Sequence, residues 1–287
     1  GDCMTRFKQH ITLDPDFVSK KLDEFFHEDH IENDITTTTT QQNHTVDAAL
    51  VAREDLIFAG CEIIKQGFAD STTSMIVQDG ALLHQGDVIA KISGGINNIL
   101  KKERVVLNLI QRLCGIASKV NRLSQQIHRH DIELLDTRKT TPGLRMFEKF
   151  AVAVGGGTNH RFSLEDAVMI KDNHLVGSPD IIQTVAKAKQ DNPGKDIQLE
   201  VDTKDQLEFA LESDATSLLL DNFQPKSLPD VIHHIRSHNK GQNIYIELSG
   251  GITEDTLSDF CIQGVNGISM GALTHNIQSK DIGLDIK

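Results

Sequence analysis

The residues best equipped for chemistry fall at the ends of short apolar runs in the second half of the chain. They are Asp136-Thr137-Arg138-Lys139, Lys171-Asp172, Glu200 to Asp202, Asp221-Asn222, Glu247 to Ser249, and Ser269. One polar residue at such a place is ordinary, because a strand end adjoins a loop. Six in succession, alternating cation, carboxylate and hydroxyl, point to a shared site. Arginine forks bind carboxylate and phosphate in bidentate fashion, whereas lysine acts as a point charge. Arg138, Lys139, Arg161 and Lys171 are therefore ligands for a polyanion or else solvated surface groups. Glu200 and Asp221 suit a metal-bound substrate or ribose hydroxyls, with charge balance as the plainer reading. Two turns, Ser249-Gly250-Gly251 and Ser269-Met270-Gly271, suit phosphate, the first also by preceding a helix expected from Thr253. His160, beside Arg161 and after Gly155-Gly156-Gly157, is more often a structural hydrogen-bonder than a proton carrier. A lysine ending a strand, as Lys171 does, also allows a Schiff base with a phosphorylated sugar.

The elements that must position these groups read as two kinds of structure. Up to about residue 115 the chain is mixed α and β. Phe17, Val18, Leu22, Phe25 and Phe26 recur at helical spacing, which predicts a helix over 15–30. The Thr36–Thr40 run reads as a polar loop. Strands are expected at 46–52, 74–78 and 87–92, divided by turns at Asp79-Gly80 and Gln85-Gly86-Asp87. A helix follows from about 97, with Leu100, Val106, Leu109, Ile110 and Leu113 on one stripe. From about 130, β-rich runs recur at 132–136, 167–171, 197–201, 217–221, 244–248 and 267–270. Helices are expected between them, near 179–190, 204–213, 226–238 and 253–263. Thr203 and Gln206 form a capping box. This alternation is a parallel βα architecture. Six strands leave an incomplete barrel and an open doubly wound sheet both possible. In a barrel the C-terminal strand ends converge on one mouth, where active sites form.

Composition narrows the function classes. The chain has 287 residues, 38% of them hydrophobic, and a formal charge of −12. That charge disfavours nucleic acid or anionic membrane as a partner. Residues 101–149 nevertheless hold eleven Lys/Arg against five Asp/Glu, a local +6. Such an island is either a basic helix face or a pocket for a polyanionic small molecule. No apolar run approaches a membrane span, and the first ten residues carry no apolar secretion signal. Cys3, Cys61, Cys114 and Cys261 lie far apart without a C-x-x-C pair. This argues against a zinc site or disulfide framework and fits a reducing cytoplasm.

The segments ERVVLNLIQRLCGIAS (103–118), DTRKTTPGLR (136–145), GGGTNHR (155–161), DAVMIKDNH (166–174), IELSGGI (246–252) and ISMGALTH (268–275) resemble the quinolinate phosphoribosyltransferase family. A family associated with molybdenum transport shares the scaffold, but DTRKTTPGLR together with NHR favours the biosynthetic enzyme. The resemblance implies an α/β fold: an N-terminal open-faced α/β sandwich, residues 1–115, joined to an incomplete parallel α/β barrel, 116–275. Residues 276–287 would return to the sandwich. It implies transfer of phosphoribosyl from phosphoribosyl pyrophosphate to quinolinate with loss of carbon dioxide, using magnesium and no pyridoxal or other organic cofactor. It further implies a cytoplasmic homodimer with shared sites, in which Arg104 reaches into the partner's. Thr137, Arg138, Lys139, His160, Arg161 and Lys171 match positions around quinolinate and the phosphates. Glu200 and Asp221 match those near ribose and magnesium, and Ser249, Gly250, Gly251, Ser269, Met270 and Gly271 the 5′-phosphate loops. Lys139, Lys171, Glu200 and Asp221 are the catalytic candidates. Departures are Asn33 before Asp34-Ile35-Thr36, where the family often has Gly, and Leu248 and Met270 for smaller β-branched residues. An aldolase-type lyase using Lys171 and a non-catalytic molybdenum-transport relative are the alternatives.

Overall fold

The computed structural model describes residues 5–175 and 180–287, so Cys3 and the start of the helix expected at 179 lie outside the described residues. Helix α1 spans Pro15–Glu28 and α2 Ile35–Thr40; then come strands β1 (Thr45–Ala52) and β2 (Leu56–Ile57), helix α3 (Cys61–Gly67), and strands β3 (Thr72–Met75), β4 (Leu82–Leu83) and β5 (Val88–Gly95). Helix α4 (Ile96–Ile127) leads to β6 (Glu133–Leu135), α5 (Arg145–Val154), β7 (Ala167–Ile170), α6 (Ile181–Asp191), β8 (Asp196–Val201) and α7 (Lys204–Glu212). Strand β9 (Ser217–Asp221), α8 (Leu228–Ser237), β10 (Tyr245–Ser249), β11 (Gly267–Ser269), α9 (Ala272–His275) and β12 (Ile282–Ile286) complete the chain. The chain forms two compact units.

One unit comprises His10–Asn121, Met146–Gly156 and Asn276–Lys287. Its antiparallel sheet has the order β12-β1-β5-β3, with the C-terminal strand paired to β1 at Leu50↔Leu284. Val18, Leu22 and Phe26 of α1 and Ile63 and Ile64 of α3 are buried on its helical side. Asp14 starts α1 by accepting from Phe17 N–H at 2.8 Å, with Pro15 preset for the first turn. A Cβ on Gly67 would lie 2.6 Å from Val106, so the glycine lets α3 approach α4 closely. The Thr36–Thr40 run is helical, a correction to the expected loop. Asp34 caps it, and Thr38, Thr39 and Thr40 turn their hydroxyls back to carbonyls four residues earlier. The strand expected at 74–78 lies earlier, at β3.

The other unit contains the described residues up to Gln9, Arg122–Arg145 and Gly157–His275. It is built on six parallel strands in the order β6-β11-β10-β9-β8-β7. These runs are apolar almost throughout because parallel strands are covered on both faces; Ser217–Leu220 are all buried. Leu207, Ala210 and Leu211 of α7 and Leu228, Val231, Ile232 and Ile235 of α8 supply buried helical surface. Thr203 caps α7, and Gln206 Oε1 accepts from Asp202 N–H rather than from Thr203 itself. The sheet curls into an incomplete barrel. Thr158 bridges to Leu135 on the β6 edge, and three residues later Arg161 Nη1 donates to Ala167 O on the β7 edge. The helix expected over 253–263 is absent; a single 3-10 turn, Leu257–Phe260, stands there. No helix among the described residues is long and apolar enough to cross a membrane.

Candidate active site

The C-terminal ends of the parallel strands open onto a cavity of about 790 Å³. Thr137, Arg138, Lys139, His160, Arg161, Lys171, Asp221, both Ser-Gly turns and Met270 all line it. Glu200 is not a lining residue, but its Oε2 lies 3.0 Å from Lys171 Nζ, which is. Arg104 is exposed on α4 and belongs to the other unit.

The segment after β6 is shaped by Asp136, which is wholly buried. Its Oδ1 accepts from His160 N–H at 2.8 Å and its Oδ2 from the Asn159 amide at 2.7 Å. One carboxylate thus ties the DTRK segment to the NHR segment. Arg145 Nε donates to Thr140 Oγ1 at 2.9 Å and Nη1 to Phe162 O at 3.1 Å, so the last arginine of DTRKTTPGLR holds the loop. Thr274 Oγ1 donates to Lys139 O at 2.7 Å, which fixes the loop from its other side.

Lys171 faces Glu200, whereas Arg138 and Arg161 form no ion pair among the described residues. Arg138 Nε is buried with no hydrogen-bond partner among the described residues. Burial, and then the charge of Arg138 nearby, push the Arg161 guanidinium below its usual value, against the pull of Glu247 and Asp166. Two neighbouring guanidinium groups with an unsatisfied buried donor form a receptor for a compact dianion.

Opposite charge gathers at the ends of β8 and β9. Oxygens of Glu200, Asp202 and Asp221 lie within 4.8 Å of one another. Burial raises Glu200 and Asp202, Lys171 opposes it, and repulsion from Asp221 raises both further. Three hard oxygen donors, two of them disfavoured as anions by burial and by the charge of the third, suit a small divalent cation such as magnesium.

The glycine turns are close-packed. Gly250 has φ +90°, and a Cβ there would meet Asn222 N at 2.6 Å and Asp221 Oδ1 at 2.7 Å. A Cβ on Gly271 would lie 2.6 Å from Lys139 Cδ. Without a helix after Thr253, no macrodipole is aimed at the first turn. Asp136, Asp202 and Glu247 stood in the polar strand ends without an assigned role. Glu247 carried the clearest signal, a carboxylate between apolar residues in IYIEL. His275 lines the cavity and was legible only as the end of ISMGALTH.

Comparison with known proteins follows the same outline. Residues 34–114 match the model of the quinolinate phosphoribosyl transferase N-terminal domain, and 116–285 that of its C-terminal domain. A probable nicotinate-nucleotide pyrophosphorylase [carboxylating] of Bacillus subtilis is 42% identical, over 94% of this chain and 93% of that protein. The nicotinate-nucleotide pyrophosphorylase [carboxylating] of Mycobacterium leprae is 32% identical over 88% and 91%. The solved nicotinate-nucleotide pyrophosphorylase of Francisella tularensis superposes with a TM-score of 0.91 at 30% identity, covering 98% of this chain and all of that one.

Proposed function

This chain belongs to the quinolinate phosphoribosyltransferase family, and from that premise we infer that it converts quinolinate and phosphoribosyl pyrophosphate to nicotinate mononucleotide, pyrophosphate and carbon dioxide. The observation that carries the reading is the unsatisfied Arg138 Nε beside Arg161. Quinolinate presents two adjacent carboxylates, the dianion such a pair fits. The Schiff-base reading of Lys171 leaves two paired guanidinium groups unexplained, and the named relatives favour neither it nor a non-catalytic role.

The mechanism follows from the charges. Arg138, Arg161 and Lys171 orient the carboxylates so that the ring nitrogen faces the anomeric carbon of the second substrate, with His160, Thr137 and Lys139 beside them. Such positioning is worth roughly 7–11 kcal/mol in well-oriented systems. The nitrogen lone pair forms the new N–C bond as the C–O bond to pyrophosphate breaks. Glu200 and Asp221 favour the positive charge that develops on the ribose. Backbone N–H groups of Ser249–Gly251 and Ser269–Gly271 hold the 5′-phosphate. Glu200, Asp202 and Asp221 would hold magnesium, whose charge would be available to offset that of the departing pyrophosphate. The C–C bond to the carboxylate next to nitrogen then breaks, its electrons held by the cationic ring until a proton from solvent replaces carbon dioxide. The ring is its own electron sink, so the reading invokes no organic cofactor.

The reading also sets the enzyme in the cytoplasm, where Cys61, Cys114 and Cys261 stay reduced. Burial pushes the Cys61 and Cys114 thiols up to about 12, which leaves them unreactive. Substrate competition tests the reaction class. Nicotinate, lacking the second carboxylate, should turn over at least about 10²-fold less efficiently, the loss expected when a charged hydrogen-bonded pair is forfeited. Equal turnover of nicotinate would overturn the assignment.

We further propose a homodimer in which Arg104 serves the partner's cavity. Its support is that Arg104 is exposed, and that its helix neighbours Lys101, Lys102 and Arg112 form ion pairs among the described residues while it does not. Arg104→Ala and Arg138→Ala proteins should each be nearly inactive alone. After subunit exchange, about a quarter of wild-type activity should return, because each mixed dimer holds one doubly damaged and one intact site. No recovery despite demonstrated exchange would place Arg104 in its own subunit's site.

A further inference from the structure

The opposite ends of the same strands are occupied by the chain's own amino-terminal segment. Arg6 forms an ion pair with Asp196, the first residue of β8, and donates to Ser217 Oγ, the first of β9, at 3.0 Å. Its guanidinium lies 4.1 Å from the ring centroid of Tyr245, the first residue of β10. Its Nη1 stands 3.4 Å from Oε2 of Glu247, two residues further along β10. Glu247 is buried, lines the cavity, and accepts from Gln198 Nε2 at 2.7 Å and from His160 Nε2 at 3.0 Å. One carboxylate therefore joins Arg6, at the far end of the strands, to a residue of the proposed quinolinate pocket. The segment also touches His160 and the residue before it. The Phe7 ring centroid is 4.7 Å from that of His160, and Gln9 exchanges hydrogen bonds with the backbone of Asn159 at 2.7 and 3.0 Å.

The bonds of His160 define its chemical form. Arg161 N–H, which can only donate, points at His160 Nδ1 from 2.7 Å. Nδ1 is therefore the acceptor, and the ring proton resides on Nε2, where it is donated to Glu247. Both nitrogens are committed to the protein, so the ring is placed rather than poised for proton transfer.

We propose that Arg6 is a positioning residue for the quinolinate pocket: it fixes the Glu247 carboxylate, which holds His160 in the Nε2–H form at the orientation the pyridine substrate meets. The same logic governs metal-bound imidazoles, whose outer hydrogen bond sets tautomer and ring angle. The proposal rests on the quinolinate reading of the cavity.

Steady-state kinetics of full-length Arg6→Gln and Arg6→Lys proteins, with quinolinate, phosphoribosyl pyrophosphate and magnesium, test it. Arg6→Gln should raise KM for quinolinate by about 10- to 100-fold. KM for phosphoribosyl pyrophosphate should stay within about twofold, because that substrate's groups lie elsewhere. Arg6→Lys should show the same split, less strongly, since an ammonium keeps the charge but cannot fork to three partners. Imidazole ¹⁵N spectra, with His160 assigned by comparison with His160→Asn, should show Nδ1 unprotonated in the wild type and mixed tautomers in Arg6→Gln. An unchanged KM for quinolinate overturns the proposal, as does an equal rise for both substrates with the tautomer intact. If Arg6→Gln does not fold, the Arg6→Lys split decides alone. Failure of the quinolinate reading looks different: the wild type itself would then form no nicotinate mononucleotide.

Discussion

Arg138→Ala should lower kcat/KM for quinolinate by about 10²–10⁴-fold, the loss of two charge-assisted hydrogen bonds at about 1.5–3 kcal/mol each. Most of that loss should appear in KM, because the carboxylates are held in the ground state as well as in the transition state. The folded protein should not suffer, since the Arg138 Nε has no partner among the described residues and its removal relieves Arg161 of a like charge. Arg138→Lys is the sharper comparison. It keeps the charge but loses the planar fork, so it should behave more like alanine than like the wild type. Initial rates at varied quinolinate, with a thermal melt to verify folding, give the answer. A lysine variant with native KM would show that the site reads charge alone.

Asp221→Asn should act on a different parameter. It preserves shape while removing one of three clustered carboxylates, and kcat should fall by about 10²–10³-fold, with KM for quinolinate little changed. The magnesium concentration for half-maximal rate should rise at the same time. Acid dependence gives a further sign. Glu200 and Asp202 are raised by burial and by the charge of Asp221, so in the wild type they take up protons above the ordinary carboxylate range as pH falls. Magnesium binding should weaken correspondingly early on acidification. Asp221→Asn removes that repulsion, and the acid limb of its magnesium dependence should move to lower pH. Rate measurements at fixed substrates with magnesium and pH varied follow both effects. An acid limb that moves to higher pH would mean that Asp221 does not repel its neighbours.

The sequence revealed the barrel unit more readily than the sandwich unit. Parallel strands covered on both faces read as continuous apolar runs, and each of the six here was visible as one. Strands of two residues, such as β2 and β4, and the terminal β12 carry too little pattern to be read alone. The threonine run misled because threonine is a weak helix former and carries no apolar stripe, while the Asp34 cap that starts the helix is a single residue outside the run. The Ser-Gly-Gly turn was legible from spacing, but the helix after it was not there, since Thr253–Thr256 bonds to itself instead. Among site residues, the cations and carboxylates at strand ends were marked by type and position. Asp136 and Glu247 work from inside the fold, and a buried partner leaves no periodic signal. Arg6 is the extreme case: its three hydrogen-bonded partners lie 190, 211 and 241 residues away in sequence, and nothing in the local pattern announces them.

One cavity couples phosphoribosyl transfer to decarboxylation. Quinolinate labelled in the carboxylate next to the ring nitrogen, incubated with the protein and magnesium, tests it most directly. Labelled carbon dioxide should appear only when phosphoribosyl pyrophosphate is present, in equal amounts with nicotinate mononucleotide and pyrophosphate. Label released without the sugar donor, or nucleotide formed with the label retained, would contradict the account.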